Sequence, residues 1–340
     1  MKSDLNIQGI DGGRHAAIMP ARLIAAGLLA IAWAGAAQAL TWHVPDQQPT
    51  VAAGLTVAAA GDTVLVAGGV YVEHDLEMIE GVVLRGATGA ADGVTIDAMD
   101  QGRVLNCNGL SAATAVEGLT LANGMAQAAG IVFCNHADVV FRDCAFVSGS
   151  SDFDGAGFYC NESAPVLERC VFSGNTSDAG YGGGFSSRLA DPVLRSCVFM
   201  DNGTGGWGGG FFATGSDNAP LLDKCVFVGN RADLGGAVAC RGTLARLVDC
   251  ELIENAATGS GGGLYLDFGA FVTLTDVRFE RNTADQGKAG LVEINCYAIL
   301  ECCVLDRTTL NGDGFIHYDD EGCDVGRACS SWGALKRMFR

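Results

Sequence analysis

Tyr181 and Trp207 each stand immediately before a triple glycine, 26 positions apart. Aromatic rings at a fixed interval offer flat apolar faces with a polar tip, a surface on which a sugar ring can lie. The same two rings can instead fold over the glycines and do no more than cover backbone. Asp152 and Asp154 flank Phe153, and Asp178 follows 26 positions after Asp152. Carboxylates gathered in this way serve acid–base chemistry or a calcium site. Asp178, Asp233 and Asp285 each come three residues after an asparagine, but Gly205 and Thr258 interrupt that series. Solvated turn residues account for such a broken column equally well. The histidines at 43, 74, 136 and 317 are isolated, no Cys-x-x-Cys occurs, and no glycine run leads into Lys-Ser or Lys-Thr. A closed zinc site and a phosphate loop are therefore not expected. With no convergent catalytic set, the residues favour binding or structure over catalysis and require no cofactor.

What positions these residues is a repeat. The phrase Cys170-Val171-Phe172-Ser173-Gly174-Asn175 returns at Cys197–Asn202 and Cys225–Asn230, then at Cys250–Asn255, and with valine at the anchor at Val277–Asn282. Weaker copies start at Cys144 and Cys303, so successive anchors are 26, 27, 28, 25, 27 and 26 residues apart. A glycine phrase lies inside each period, at 182–184, 208–210, 235–236 and 261–263. Helical repeats of this length need runs of helix formers. These periods hold only short β-branched and aromatic segments between glycine, asparagine and aspartate. The pattern predicts an all-β parallel β-helix solenoid of about 26 residues per coil, with each repeat position stacked as a column.

The columns carry specific expectations. Cys144, Cys170, Cys197, Cys225 and Cys250 share the inward face with the aromatic two residues later. Cys107, Cys134 and Cys160 form a second inward column. Free thiols are favoured over bridges in both, because cysteine on a core face behaves as a small hydrophobe. Cys323 and Cys329 are the disulfide candidates. Asn175, Asn202, Asn230, Asn255 and Asn282 should turn the chain in a left-handed conformation and hydrogen-bond along their column. Arg142, Glu168, Arg195 and Asp223 alternate in sign, which in-register stacking turns into attraction.

The ends differ from the body. Residues 1–39 read as a signal peptide: Arg22 precedes an uncharged run, and Ala37-Gln38-Ala39 gives a small-x-small cleavage pattern. A retained transmembrane anchor is the alternative for this segment. Residues 40–306 make the β-helix, with Pro49–Leu55 a short N-terminal capping helix, and 307–340 lose the period as an irregular C-terminal cap or tail. The chain is thus expected to be exported, to the cell surface, the periplasm or the medium, with no membrane span after cleavage. A formal charge of −18 disfavours nucleic acid as a partner. Glycine at 49 of 340 with proline at only 6 excludes collagen and proline-rich disorder.

Gly61-Asp62-Thr63-Val64-Leu65-Val66 followed by Gly69-Val70-Tyr71 resembles the first coil of secreted proteins of the pectin-lyase-like superfamily of right-handed parallel β-helices. Gly235-Gly236-Ala237-Val238 and the Phe-x-x-Asn phrases at 172–175, 199–202, 227–230 and 279–282 resemble the repeats of chlamydial polymorphic outer-membrane proteins. The resemblance spans about residues 41–306. It implies the fold, and with it either of two roles. One is a surface or secreted binding module, carbohydrate-binding or adhesin-like, using Tyr181 and Trp207 on a polysaccharide or cell-surface glycan. The other is a polysaccharide lyase or glycoside hydrolase acting on acidic glycans such as pectin, with Asp152, Asp154 and Asp178 as the catalytic candidates and calcium as its ion. The Asn-Thr-Asp, His-Gly and Arg-Ile-Lys phrases of polygalacturonases are missing; Asn282-Thr283-Ala284 lacks the aspartate.

Overall fold

Each short apolar run of the repeat forms one strand, and each glycine or polar break forms a corner. The computed structural model describes residues 38–305 and 310–319. One coil shows the plan. Val140–Arg142 lies on face 1, Ala145–Val147 on face 2, Ser150–Ser151 on a narrow ribbon, and Phe158–Asn161 on face 3. Among the described residues the faces hold 12, 10 and 10 strands, and the ribbon holds 6. Neighbouring strands in each sheet come from successive coils and pair in parallel, as between Phe146, Phe172, Phe199 and Phe227 on face 2. The expected parallel β-helix is the fold observed.

The interior is made of columns. The rings of Phe146, Phe172, Phe199 and Phe227 stack at 4.7, 4.5 and 4.6 Å. Those of Phe158, Phe185 and Phe211 on face 3 stack at 4.8 and 5.4 Å. The two columns meet edge to face, as Phe146 does with Phe158. Stacking is offset-parallel within a column because the rung spacing of about 4.8 Å suits it. The cysteine columns sit in the same dry core. Cys107, Cys134 and Cys160, and Cys144 through Cys250, are buried free thiols. Burial pushes Cys134 and Cys240 up to about 12, where they remain protonated and inert at neutral pH.

Asparagine closes the corner after face 2. Asn175 donates through Nδ2 to Asn202 Oδ1 at 2.9 Å, and Asn202, Asn230 and Asn255 repeat the bond to the next rung at 3.0, 2.9 and 3.0 Å. Each acceptor also takes the backbone N–H of the asparagine donating to it. The left-handed residue, however, is the one before: Gly174, Asp201, Gly229, Glu254 and Arg281 have φ of 64, 54, 69, 56 and 51°. The asparagines are held by their buried bonds, and their turning role passes to the preceding position. A second left-handed corner separates faces 1 and 2, at Asp143, Arg169, Ser196, Lys224 and Asp249.

The alternating charges form ion pairs between coils. Arg85, Glu117, Arg142, Glu168 and Arg195 run as one chain, with N–O distances of 2.6, 3.0, 3.3 and 3.8 Å. At the N-terminal end helix α1 (Val51–Val57) covers the first coil. Thr50 caps it by accepting from Ala53 N, while the Glu73 carboxylate accepts from the N–H groups of Val51 and Ala52. At the other end Leu310–Asn311 and Phe315–Asp319 add strands to faces 3 and 1, so pairing runs on past residue 306. Cys302 is disulfide-bonded. The proposed signal segment up to residue 37, most of the tail, and Cys323 and Cys329 lie outside the described residues. No helix among the described residues is long and apolar enough to cross a membrane.

Candidate functional site

Strands of face 3 alternate strictly, so every inward core residue has an outward neighbour. Phe158, Phe185, Phe211, Val238 and Leu264 point inward; Tyr159, Ser186, Phe212, Ala239 and Tyr265 form the outward column in register. Phe133 extends this column by one rung, its ring stacked on Tyr159 at 5.8 Å and 8°. The outer surface of face 3 therefore carries large rings interrupted by two small residues.

Tyr181 and Trp207 sit at the corner entering this face. They bridge to each other on adjacent coils, and Trp207 bridges on to Leu234. Their rings meet edge-on at 5.7 Å and 61°, so the pair is not a flat two-ring platform. Tyr181 stacks on Phe212 at 4.7 Å. Trp207 touches the edges of both Phe212 and Tyr265, at 6.3 and 5.5 Å, spanning the rung on which Ala239 stands. A larger residue at 239 would fill the space Trp207 bridges. Phe212 and Tyr265 are thereby buried, whereas Tyr181 and Trp207 remain half-buried at the rim.

Cations lie among the rings. Arg241 holds its guanidinium 5.6 Å from the Trp207 ring centre and 5.1 Å from that of Phe268, a residue 72 % exposed. Such contacts are worth about 0.5–2 kcal/mol. Arg103 lies over Phe133 at 4.9 Å and is tied by bonds to Ala128 O, Ala129 O and Asn106 Oδ1. Arg188, on the strand Phe185–Arg188, donates to Asn161 Oδ1 at 3.2 Å.

Of the three candidate aspartates, Asp154 alone turns into this surface. Its Oδ1 accepts the Tyr181 N–H at 3.0 Å. Partial burial pushes its carboxyl up, opposed by that hydrogen bond and by the Arg188 charge. Burial likewise raises the Tyr159 hydroxyl, again opposed by Arg188. Asp152 and Asp178 lie on adjacent turns of the coil, but both are exposed. Asp233 accepts from Thr258 Oγ1 on the next coil. Among the described residues no three His, Cys, Asp or Glu side chains converge as metal ligands.

Phe133, Tyr159, Phe212, Tyr265 and Arg241 were not singled out by motif or spacing. The signal for them was the period of two: once Phe158, Phe211 and Leu264 are placed inward, the next residue must face out. In Phe211-Phe212 that rule is easily overlooked, since two adjacent phenylalanines read as one core run.

The family model described as "Right handed beta helix region" matches residues 80–292. Among solved structures the chain is similar to the Azotobacter vinelandii mannuronan C-5 epimerase A-module, at 14 % identity and a TM-score of 0.36, over 76 % of this chain and 91 % of that one. No curated protein matches the sequence.

Proposed function

Since the chain belongs to the right-handed β-helix family, we propose that it is an exported binding module that holds a glycan chain against the outer surface of face 3. The observation that carries this reading is the group Tyr181, Phe212, Trp207 and Tyr265: rings fixed against one another, yet half open to solvent at the rim. The buried members immobilise the exposed ones, so little side-chain entropy is lost when a sugar stacks on them. Ring faces and edges at the rim suit the apolar side of a pyranose, and the nearby guanidinium and hydroxyl groups suit its oxygens. Residues 1–39 act as the signal peptide, and the glycan is that of a cell surface or a secreted polysaccharide. The binding test is titration of the mature chain (from residue 40) with soluble oligosaccharides. Replacing Trp207 by alanine should weaken binding at least tenfold while Val70→Ala, an exposed site on face 2 in the first coil, leaves it unchanged. Equal binding by the Trp207 variant would overturn the assignment.

A second reading follows from Asp154. A partly buried carboxyl whose proton is held more tightly than usual, beside Arg188 and Tyr159, has the equipment of a general acid. On that reading the protein cleaves the glycan it binds, as a lyase or a hydrolase, with calcium as the ion if the chemistry is lyase-like. Asp154→Asn should then abolish release of reducing or unsaturated ends without changing affinity. A wild-type chain that releases no product from glycans it binds rules the second reading out.

A further inference from the structure

Arg241 differs from the other arginines near the ring surface. Its Nε is buried and has no hydrogen-bond partner, and its guanidinium makes no ion pair with any described residue. Arg103, by comparison, is satisfied by two carbonyls and an amide. The charge lies between Trp207 and Phe268 and forms no ion pair even with Asp267, its register partner on the next strand. A guanidinium pre-oriented by two rings, with its terminal nitrogens in no ion pair, has the geometry for binding an anion through the paired N–H groups of those nitrogens.

A second guanidinium stands in the same column. Arg188, Thr214 and Arg241 are register partners on three successive strands, so the two arginine positions are two rungs, or about 10 Å, apart. Tyr181, Phe212 and Trp207 lie beside this interval. A pyranose in an extended chain advances by about one rung, so a chain running along the coil axis would present alternate units to the two arginines. We propose that the ligand is a sparsely anionic glycan, with one carboxylate or sulfate ester on every second sugar, held by Arg188 and Arg241 while the intervening sugar rests on the rings. The strongly negative body supports the sparse spacing, because it repels a chain charged on every unit more than one charged on alternate units.

This inference rests on the glycan-binding reading, and the probes separate the two. Four hexasaccharides are titrated into the mature chain by calorimetry at fixed ionic strength: a neutral β-glucan, a homopolymer of uronate, a chain alternating uronate with neutral sugar, and a chain alternately sulfated. The expected order places one alternating chain at least tenfold above both the neutral chain and the homopolymer. The carboxylated and sulfated arms show which anion is preferred. Arg241→Gln should weaken the alternating chains at least tenfold more than the neutral chain, and Arg241→Lys should restore only part of that difference, since lysine lacks the paired donors. If Arg241 served only to pack Trp207 and Phe268, its loss would change all four titrations together, and the inference fails. Equal affinity for neutral and alternating chains overturns the anion site but leaves glycan binding standing. Preference for the homopolymer overturns the alternate spacing, and binding of none overturns both readings.

Discussion

The inside of face 2 and the outside of face 3 are built on the same coils and obey opposite rules. Inside, one residue type recurs on rung after rung: phenylalanine over phenylalanine, cysteine over cysteine, asparagine over asparagine. Every polar group in the asparagine column has a partner on the rung above or below. Outside, the column reads Phe133, Tyr159, Ser186, Phe212, Ala239 and Tyr265, and no residue type repeats on adjacent rungs. Repetition gives a self-matching stack and nothing for a ligand to recognise. Departure from it creates gaps, rims and an unsatisfied guanidinium. In a solenoid of this kind the regular columns hold the fold, and the broken column is where binding is to be sought.

The comparison is broken most forcefully from the inside. Phe199→Ala removes a ring stacked on both sides, and should cost about 3–5 kcal/mol in denaturant unfolding. Asn230→Ala comes next, at about 3 kcal/mol. It takes the acceptor from two Asn202 donors, removes the side-chain donor to the Phe199 carbonyl, and leaves Asn255 Oδ1 with only the backbone N–H of residue 230. Trp207→Ala sharpens the contrast: the side chain is larger than phenylalanine, yet its half-exposed place should make the loss about 1–2 kcal/mol while binding falls sharply. The Asp154 carboxyl is pushed up by burial, so its contribution to stability is present while it is protonated and is lost as pH rises from about 4 through its native value. Asp154→Asn should remove this dependence, seen as a flatter Tm against pH in that window. Arg169→Ala breaks the exposed pair with Asp143 and should cost no more than about 0.2–1 kcal/mol.

The interior was legible because periodicity is a property of the sequence alone. Spacings near 26 placed Cys170 over Cys197 and Asn175 over Asn202, and the alternating signs of Arg142, Glu168 and Arg195 identified neighbours that do pair. Tyr181 and Trp207 were found by the same means, but not the angle between their rings, which Phe212 and Ala239 decide from another strand. Arg241 has no counterpart one period away and so gave no signal; only packing shows that it lies between Trp207 and Phe268. Residue type points to asparagine for the left-handed corner, one position after the residues that adopt it. The buried amide bonds leave that conformation to whichever residue precedes, including Asp201, Glu254 and Arg281.

The amide column also constrains how a chain of this design can change length. Each asparagine hands its hydrogen to the next, so removing a segment keeps the relay intact only when donor and acceptor meet again across the join. Excising the 28 residues from Gly203 to Asn230 would bring Asn202 onto Asn255 and leave no amide stranded. A cut half that long would orphan one group and misalign each sheet above it. Such a molecule grows or shrinks by whole turns, like a spring shortened only between coils.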